Sequence, residues 1–300
     1  MLYQGIIGQY YAPQLNERKG CLSEFKSFYK KVSGNEGDKC LYNIRLDTYG
    51  CGCQHDCKYC YAKSLLSFRN LWNNKNPSVA DINKIRRKIQ KIPSGTVVRL
   101  GGMTDCMQPL EMKKRVTYET VKELNRNQIE YLIVTKSSLI ANPEYLDILD
   151  RDFAHIQISV TTLNDERAGT YEKASIPSER IKAILRLQEK GFDVSIRLSP
   201  IIEGYMDFDK LNSLNIDKCI VEFLRVNSWI KKWFCELDFS NYTLYQNNYY
   251  HLELEDKIRI LDKVDIKNKT VCEDVSSHYL FWQANVNPDK LDCCNLRRNN

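Results

Sequence analysis

Short apolar runs alternate along the middle of the chain with stretches in which apolar residues recur every three or four positions. The first pattern is typical of buried strands and the second of amphipathic helices. Ile82, Ile85, Ile89 and Ile92, for example, share one face of a predicted helix. The predicted strands lie at 42–46, 96–100, 131–135, 155–160, 194–198 and 219–224.

Helical stretches separate these strands. The apolar spacing predicts helices at 113–127 and 141–150, and the clearest helix carries Ile181, Ile184 and Leu185 on one face. Strands and helices that alternate at this spacing are typical of βα units around a parallel sheet. Six such units end near residue 225, whereas a complete barrel of the TIM type has eight. We therefore expect an α/β fold, a partial (β/α)6 TIM-type barrel that is open along one side.

The two ends of the chain are less regular than its middle. Residues 1–41 are predicted to form an N-terminal extension and residues 42–226 the partial barrel. Residues 227–300 are predicted to form an irregular C-terminal extension, packed on the barrel, with one helix around Ile258. We find no repeat, low-complexity tract or Pro/Gly/Ser-rich linker between these parts.

The composition is that of an ordinary globular protein, with 43% hydrophobic and 27% charged residues among 300. The net charge of +6 permits a polyanionic partner but does not require one. No apolar run approaches the roughly 18 residues of a membrane-spanning helix, and the first residues do not resemble a secretion signal. We therefore expect a cytoplasmic protein that does not associate with membranes.

The unusual feature of the composition is its twelve cysteines. In the cytoplasm they are expected to be reduced, and metal binding is the usual reason for clustering them. Cys53, Cys57 and Cys60 have the spacing C-x3-C-x2-C. Three thiolates on one short loop favour a [4Fe–4S] cluster with one iron open to a cosubstrate. A zinc ion with Cys51 or His55 as fourth ligand is the alternative.

The cysteine loop, residues 51–60, and the segments that follow later predicted strands resemble the radical S-adenosylmethionine (SAM) superfamily. More narrowly, they resemble its spore photoproduct lyase-like family, over roughly residues 42 to 225. The matching segments are G-C-Q-H-D-C-K-Y-C-Y-A at 52–62, G-G-M-T-D at 101–105, T-K-S at 135–137, S-V-T-T at 159–162 and R-L-S-P-I-I-E-G at 197–204. They occur in the expected order at the ends of successive predicted strands.

The resemblance implies a radical SAM iron–sulfur enzyme, with the cluster on Cys53, Cys57 and Cys60. The open iron would bind the methionyl amino and carboxylate groups of SAM. Reductive cleavage of SAM would give a 5′-deoxyadenosyl radical that abstracts hydrogen from a substrate. A reductant such as flavodoxin or ferredoxin would supply the electron, and by family analogy the substrate is a nucleic acid or nucleotide that is repaired or modified.

Two other functions stay open at this point. The first is a radical SAM enzyme that modifies a peptide or a small metabolite instead of a nucleic acid. The second is not an enzyme but a zinc-binding module that binds nucleic acid without catalysis.

The resemblance also implies SAM-binding residues at the ends of the other strands. They are Tyr59, Gly101, Gly102, Thr104, Lys136, Ser159 and Arg197. Tyr59 is expected against the adenine, Lys136 near the carboxylate and Ser159 at a ribose hydroxyl. Arg197, in an otherwise apolar strand, is expected to bind an anion, and a structural ion pair with Glu222 is the alternative.

One position departs from the family pattern. Spore photoproduct lyase returns hydrogen to its product radical from a cysteine placed just before the Thr/Ser-Asp of the second-strand turn, and Met103 occupies this position here. Cys106, three residues later, is the candidate catalytic thiol, and one of the eighteen tyrosines is the alternative donor. The departure argues against thymine-dimer repair itself.

Three further cysteines, Cys272, Cys293 and Cys294, lie near the C-terminus. Because these three contain no C-x-x-C and adjacent cysteines rarely bind one metal, we interpret them as buried free thiols. A second metal site is the alternative.

Residues 229–251 are dense in aromatic side chains and contain two lysines. We interpret this segment as a lid over the open side of the barrel. A surface on which nucleic-acid bases stack is the alternative.

Overall fold

A computed structural model of the chain describes residues 25–30, 39–42, 44–287 and 292–296. Most of the predicted N-terminal extension, with Cys21, lies outside the described residues, as does Asn43 in the predicted opening strand. Within the described ranges, no helix is long and apolar enough to cross a membrane.

The described residues form short elements that alternate along most of the chain. The strands are β1 (Phe28–Tyr29), β2 (Arg45–Leu46), β3 (Tyr49–Gly50), β4 (Ser78–Val79), β5 (Val97–Leu100), β6 (Glu130–Thr135), β7 (Ala154–Ser159), β8 (Asp193–Ile201), β9 (Lys218–Phe223), β10 (Leu244–Gln246), β11 (Tyr249–His251) and β12 (Asn268–Cys272). The helices are α1 (Tyr61–Phe68), α2 (Ile82–Ile89), α3 (Glu111–Lys114), α4 (Val116–Arg126), α5 (Pro143–Leu146), α6 (Asp165–Gly169), α7 (Pro177–Glu189), α8 (Phe208–Asn212), α9 (Ser228–Trp233), α10 (Leu254–Leu261) and α11 (Ser276–Asn285), with a 3₁₀ helix at Ser138–Ala141.

Eight of these strands form one sheet, in the order β1-β2-β5-β6-β7-β8-β9-β12. Every neighbouring pair from β2 to β12 is parallel, and only β1 is antiparallel to its neighbour. Parallel neighbours require crossover connections, which are mostly helical here. The predicted α/β fold with a parallel sheet is therefore confirmed. Among the described strands, the two outer strands of the sheet do not pair with each other.

The five central strands, β5 to β9, lie where the apolar runs predict them. Such runs are typical of strands that are covered on both faces. Ile133, Ile156, Ile196 and Val221 are at most 1% exposed. They belong to one large core, in which the sheet packs against α4 and α7.

The seventh parallel strand of the sheet, β12, comes from the region predicted to be irregular. It runs beside β9, with Asn268 next to Lys218 and Cys272 next to Glu222. Its sequence, N-K-T-V-C, has one strongly apolar residue, Val271, so hydrophobic patterning does not reveal it. The predicted number of six parallel strands is therefore too low by one. The predicted helix near Ile258 is present as α10.

Two predicted helices differ in extent from the observed ones. The helix predicted at 113–127 is divided into α3 and α4, because Arg115 between them has a left-handed backbone with φ 53°. The helix predicted at 141–150 is limited to the four residues of α5, which follow directly on the 3₁₀ helix.

Candidate active site

The cysteine loop connects β3 to α1 and is held at both ends. A Cβ atom at Gly52 would lie 2.0 Å from the carbonyl oxygen of Asn73, so glycine is required there. The Asn73 N–H donates to the carbonyl oxygen of Cys51 at 2.7 Å. At the other end, α1 begins directly after Cys60, whose thiol accepts from the Lys63 N–H at 3.4 Å. These contacts fix the positions of the thiols.

Cys53, Cys57 and Cys60 all line one cavity of about 280 Å³. Cys53 and Cys57 are buried, and Cys60 is partly exposed. The cavity lies at the carboxyl ends of the parallel strands, where active sites occur in barrels of the TIM type. Its volume is close to the lower end of the range for small-molecule sites, roughly 300–1,000 Å³.

The spacing of the thiols fits an iron–sulfur cluster better than one zinc ion. Zinc bound at about 2.3 Å from each sulfur would bring the sulfur atoms to roughly 3.8 Å from one another. Among the described residues, however, no three thiols lie within 4.8 Å of one another. A [4Fe–4S] cluster offers one iron to each thiolate and accepts wider spacing.

Burial keeps these thiols protonated in the absence of a metal. It raises the pKa of Cys53 to about 12 and also raises the pKa of Cys57 and of Cys60. Because only thiolates ligate iron, binding of a cluster has to release these protons.

A buried carboxylate, Asp105, joins the cysteine loop to the ends of β5 and β6. It accepts hydrogen bonds from the Met107 N–H (2.8 Å), the Thr135 hydroxyl (2.7 Å) and the Lys136 N–H (2.6 Å). The Nδ1 atom of His55 lies 3.3 Å from its Oδ2 atom. Burial alone raises the pKa of Asp105, but His55 and the backbone N–H donors outweigh burial and lower the pKa. Asp105 is thus an ionised anchor for the loop.

A second buried carboxylate, Glu172, lies behind the cysteine loop. It forms an ion pair with Arg180 and accepts a hydrogen bond from the hydroxyl of Tyr59. Its Oε2 atom is 4.0 Å from the thiol of Cys57. Arg180 also donates to the carbonyl oxygen of Ser159 at 2.8 Å. The ion pair therefore connects the loop to the end of β7.

All seven predicted SAM-binding residues line the cavity. They come from the cysteine loop and from the ends of four strands: Tyr59, Gly101, Gly102, Thr104, Lys136, Ser159 and Arg197. The hydroxyl of Thr104 donates to the Tyr49 carbonyl oxygen at 2.6 Å. The ring of Tyr59 packs against Tyr171 and Phe234, with centroids 5.8 and 6.4 Å away. Their contacts with SAM stay predictions.

Two cations of the cavity differ in their partners. Nζ of Lys136 donates to the Ser199 carbonyl oxygen at 2.8 Å. Arg197 instead lies 2.7 Å from a carboxylate oxygen of Glu222 and donates to Oε1 of Gln157 at 2.8 Å. The structural ion pair considered for Arg197 is therefore present. Lys136 is consequently the better-placed cation for a carboxylate ligand.

Cys106, the predicted catalytic thiol, lies in the core and is 1% exposed. It is not among the residues that line the cavity, whereas Met103 is. The carbonyl oxygen of Cys106 accepts the Thr117 hydroxyl at 2.6 Å, and burial raises the pKa of its thiol. The structure thus does not bring Cys106 together with the other predicted site residues.

Sequence reasoning missed the residues that support the site from behind. Arg180 lies on α7 at what reads as an ordinary polar position of an amphipathic helix, and Glu172 lies in the connection before that helix. No local sequence pattern indicates that either residue is buried or that the two form a pair. Asp105 is the last residue of the G-G-M-T-D segment, so the resemblance in that segment could have identified it as a site residue.

The aromatic segment 229–251 divides into buried and exposed rings. Phe234 is fully buried and Tyr242 is 8% exposed, whereas Trp229, Tyr245 and Tyr250 are 38–59% exposed. Its helix, α9, packs against α1, which follows the cysteine loop. The segment therefore lies beside the loop, and its role as a lid stays a prediction.

A model of the radical SAM superfamily matches residues 48–212, more than half of the chain. Among curated proteins, an uncharacterized protein of Methanocaldococcus jannaschii is 28% identical over 168 residues, which are 53% of this chain. The chain spans 60% of the length of that relative.

Solved structures show the same fold at low sequence identity. A spore photoproduct lyase mutant with bound AdoMet and dinucleoside spore photoproduct is 16% identical, with a TM-score of 0.59 over 78% of each chain. Spore photoproduct lyase complexed with dinucleoside spore photoproduct is 16% identical, with a TM-score of 0.60 over 78% of this chain and 77% of the other. Streptococcus suis SuiB bound to precursor peptide SuiA is 14% identical, with a TM-score of 0.50 over 76% of this chain and 48% of the other.

Proposed function

The chain belongs to the radical SAM superfamily, whose enzymes use a [4Fe–4S] cluster and S-adenosylmethionine, and on this premise we propose that it modifies or repairs a nucleic acid or nucleotide. In this proposal Cys53, Cys57 and Cys60 hold the cluster on a partial barrel of the TIM type. When bound, the cluster and SAM supply an electron and a 5′-deoxyadenosyl radical for hydrogen abstraction. The residues of the chain bind and orient the reactants and exclude water.

Lys136 and Asp105 orient the cosubstrate in this proposal. The ammonium of Lys136 attracts the carboxylate of SAM. Asp105 holds the backbone N–H of Lys136 at 2.6 Å and lies beside His55 of the cysteine loop. The carboxylate therefore keeps the cation and the thiols in one fixed arrangement, which is the function of a residue behind a metal site.

A cluster of aromatic rings packs behind the cysteine loop. Tyr59, Tyr171, Tyr205 and Phe234 have neighbouring centroids 5.2–6.4 Å apart. Of these rings Tyr59 lines the cavity, and in this proposal the packing behind it helps to keep solvent away from the radical.

The observation that carries the substrate class is a group of exposed aromatic rings with a cation. Trp229, Tyr245 and Tyr250 are 38%, 59% and 38% exposed. The rings of Tyr245 and Tyr250 have centroids 4.9 Å apart, and Nζ of Lys231 lies 4.7 Å from the centroid of Tyr250. Exposed rings beside a cation stack nucleic-acid bases and attract the phosphate backbone.

Arg225 connects this surface to the cavity. It lines the cavity, and its guanidinium lies 4.2 Å from the ring centroid of Tyr61. The same group lies 5.8 Å from the ring centroid of Tyr249, in the hairpin of β10 and β11 that also carries Tyr245 and Tyr250. Arg225 is itself paired with Glu222 and Asp274 at 3.2 Å each, so in this proposal it holds the hairpin against the cavity wall. The dinucleoside bound by the similar spore photoproduct lyase supports the same class.

The test uses the protein purified anaerobically and reconstituted with iron and sulfide. Single-stranded oligonucleotides deuterated on their sugars and bases are added with SAM, and dithionite replaces the flavodoxin or ferredoxin. We expect oligonucleotides to accelerate SAM cleavage and deuterium to enter 5′-deoxyadenosine. The matched control is the Cys57→Ala variant under the same conditions.

The outcomes separate the two parts of the proposal. SAM cleavage without deuterium transfer from any oligonucleotide contradicts the substrate class and favours a peptide or a metabolite. A colourless protein that contains zinc at the loop and does not cleave SAM contradicts the cluster assignment itself.

A further inference from the structure

Four cysteines from three distant segments meet in the cavity, on a part of its lining separate from the cysteine loop. We call Cys40, Cys272, Cys293 and Cys294 the second thiol group. Cys40 and Cys272 pack against the cluster that contains Cys293 and Cys294. Cys294 is close enough to Cys40 and Cys293, and Cys293 to Cys272, for each thiol to act on the pKa of its neighbour. The four thiols therefore form one connected row.

The fold holds the segment that carries two of these thiols in a defined position. The carbonyl oxygen of Cys293 accepts the Thr270 hydroxyl of β12 at 2.8 Å, and that of Cys294 accepts Nε2 of Gln157 of β7 at 3.2 Å. Asp292 accepts the Tyr42 hydroxyl at 2.8 Å. Residues 292–296 are thus joined to two strands of the sheet and to the segment of Cys40.

The surroundings carry positive charge. The guanidinium groups of Arg99 and Arg197 lie close enough to Cys294 to stabilise its thiolate, and Arg197, which also pairs with Glu222, acts on Cys272 as well. Both arginines line the same cavity. A centre with four thiolates has a net negative charge, and buried negative charge needs such compensation.

Packing of neutral thiols as small apolar groups is the competing explanation. Tyr42 and Leu132 do form an apolar cluster with Cys293 and Cys294. Apolar packing, however, does not require four thiols to gather in one row, nor two arginines beside them. Among the described residues no disulfide joins any of the four.

We propose that Cys40, Cys272, Cys293 and Cys294 hold a second metal centre through four thiolates. Zinc and an iron–sulfur cluster are the centres that take this ligand set. No three of the thiols lie within 4.8 Å of one another, so the row has to close to bind one zinc ion, whereas an iron–sulfur cluster accepts the wider spacing. This centre links the segment of Cys40 and residues 292–296 to the end of β12, and it does not depend on the proposed substrate.

The test is the metal content of a variant that lacks the loop ligands, Cys53→Ala/Cys57→Ala/Cys60→Ala. Purified anaerobically, this variant should retain about one zinc, or about four irons with inorganic sulfide, per chain. Sulfide and visible absorption identify a cluster, and zinc without sulfide identifies a zinc site. Adding Cys40→Ser and Cys293→Ser should remove the metal, and adding Cys235→Ser, at an exposed cysteine, should leave it.

A second measurement keeps the proposal testable if the loop variant does not fold. The unaltered protein, reconstituted fully, should contain one zinc in addition to about four irons, or about eight irons. About four irons with no other metal would overturn the proposal, as would unchanged metal content in the Cys40→Ser/Cys293→Ser variant. Because the readout is metal content and not SAM cleavage, its failure is distinct from failure of the proposed function.

Discussion

The two groups of thiols on the cavity are built in opposite ways. In the cysteine loop, three thiols lie within residues 53–60, and hydrogen bonds of the loop and of α1 fix them. In the second thiol group, four thiols come from three segments that only the sheet and its outer contacts bring together. The first arrangement is visible in the sequence as a spacing. The second arises only when the chain has folded.

This difference predicts that the two groups respond differently to substitution. Cys57→Ala should abolish 5′-deoxyadenosine formation, because a cluster that lacks one of three protein ligands is not held for SAM binding. Cys293→Ser should retain measurable formation while it loses metal from the second thiol group. Chromatographic assay of 5′-deoxyadenosine on reconstituted proteins measures both.

If Cys57→Ala and Cys293→Ser lost SAM cleavage equally, the two thiol groups would not differ in their role in this reaction, and the prediction would be wrong. Cys235→Ser, at an exposed position, is the control for the loss of a cysteine as such.

The next largest effect is expected on stability, from the buried ion pair of Glu172 and Arg180 behind the cysteine loop. Glu172→Gln removes one charge from a fully buried ion pair and leaves Arg180 without its counter-ion. We expect a loss of about 3–5 kcal/mol in the free energy of unfolding. Urea denaturation at neutral pH measures it. Glu144→Gln, at the exposed pair with Arg115, is the control and should change stability much less.

The same variant should also alter the acid stability. Burial raises the pKa of Glu172, but Arg180, Lys136 and the Tyr59 hydroxyl outweigh it, so the pKa in the folded protein is lowered. The carboxylate therefore stabilises the fold above the unfolded-state pKa of about 4.3, and this contribution is lost as the pH falls through the lower folded-state value. The difference in stability between wild type and Glu172→Gln should thus shrink in acid. A difference that is constant from pH 7 to acid would contradict this account.

How much the sequence predicts follows from the same contrast between local and distant contacts. The strands β5 to β9 were predicted because strands covered on both faces are apolar throughout. The seven candidate SAM-binding positions were predicted from the family resemblance, which the cysteine loop and the segments after these strands carry. Glu172 and Arg180 were not, since their pairing depends on a turn and a helix whose burial no local pattern reports. Cys40 was not linked to Cys294 for the same reason.

Asp105 lies between these extremes, because a local motif contains it but distant contacts determine its role. Asp105→Asn keeps the size of the side chain and loses the negative charge next to His55 and the backbone N–H of Lys136. We expect a decrease of about 10–100-fold in kcat/KM for SAM cleavage, as for other residues that orient a metal site. Asp81→Asn at the N-terminus of α2 is the control and should leave the activity unchanged. Equal activity of both variants would contradict the anchoring role of Asp105.

The smallest expected effect is on oligonucleotide binding by the exposed rings, which hold neither metal centre in our proposals. Tyr250→Ala removes a ring that is 38% exposed and lies beside Lys231. A base stacked on an aromatic ring contributes about 1–3 kcal/mol. Because part of the Tyr250 ring is covered by its neighbours, we expect the lower end of this range, roughly fivefold in Kd. Fluorescence anisotropy of a labelled single-stranded oligonucleotide measures the change. Tyr250→Phe retains the ring and should bind like wild type, because stacking needs the ring and not the hydroxyl. Were the alanine variant to bind as tightly as the phenylalanine variant, bases would not stack on Tyr250, and its part in binding the substrate would fall while the radical chemistry of the cysteine loop would stand.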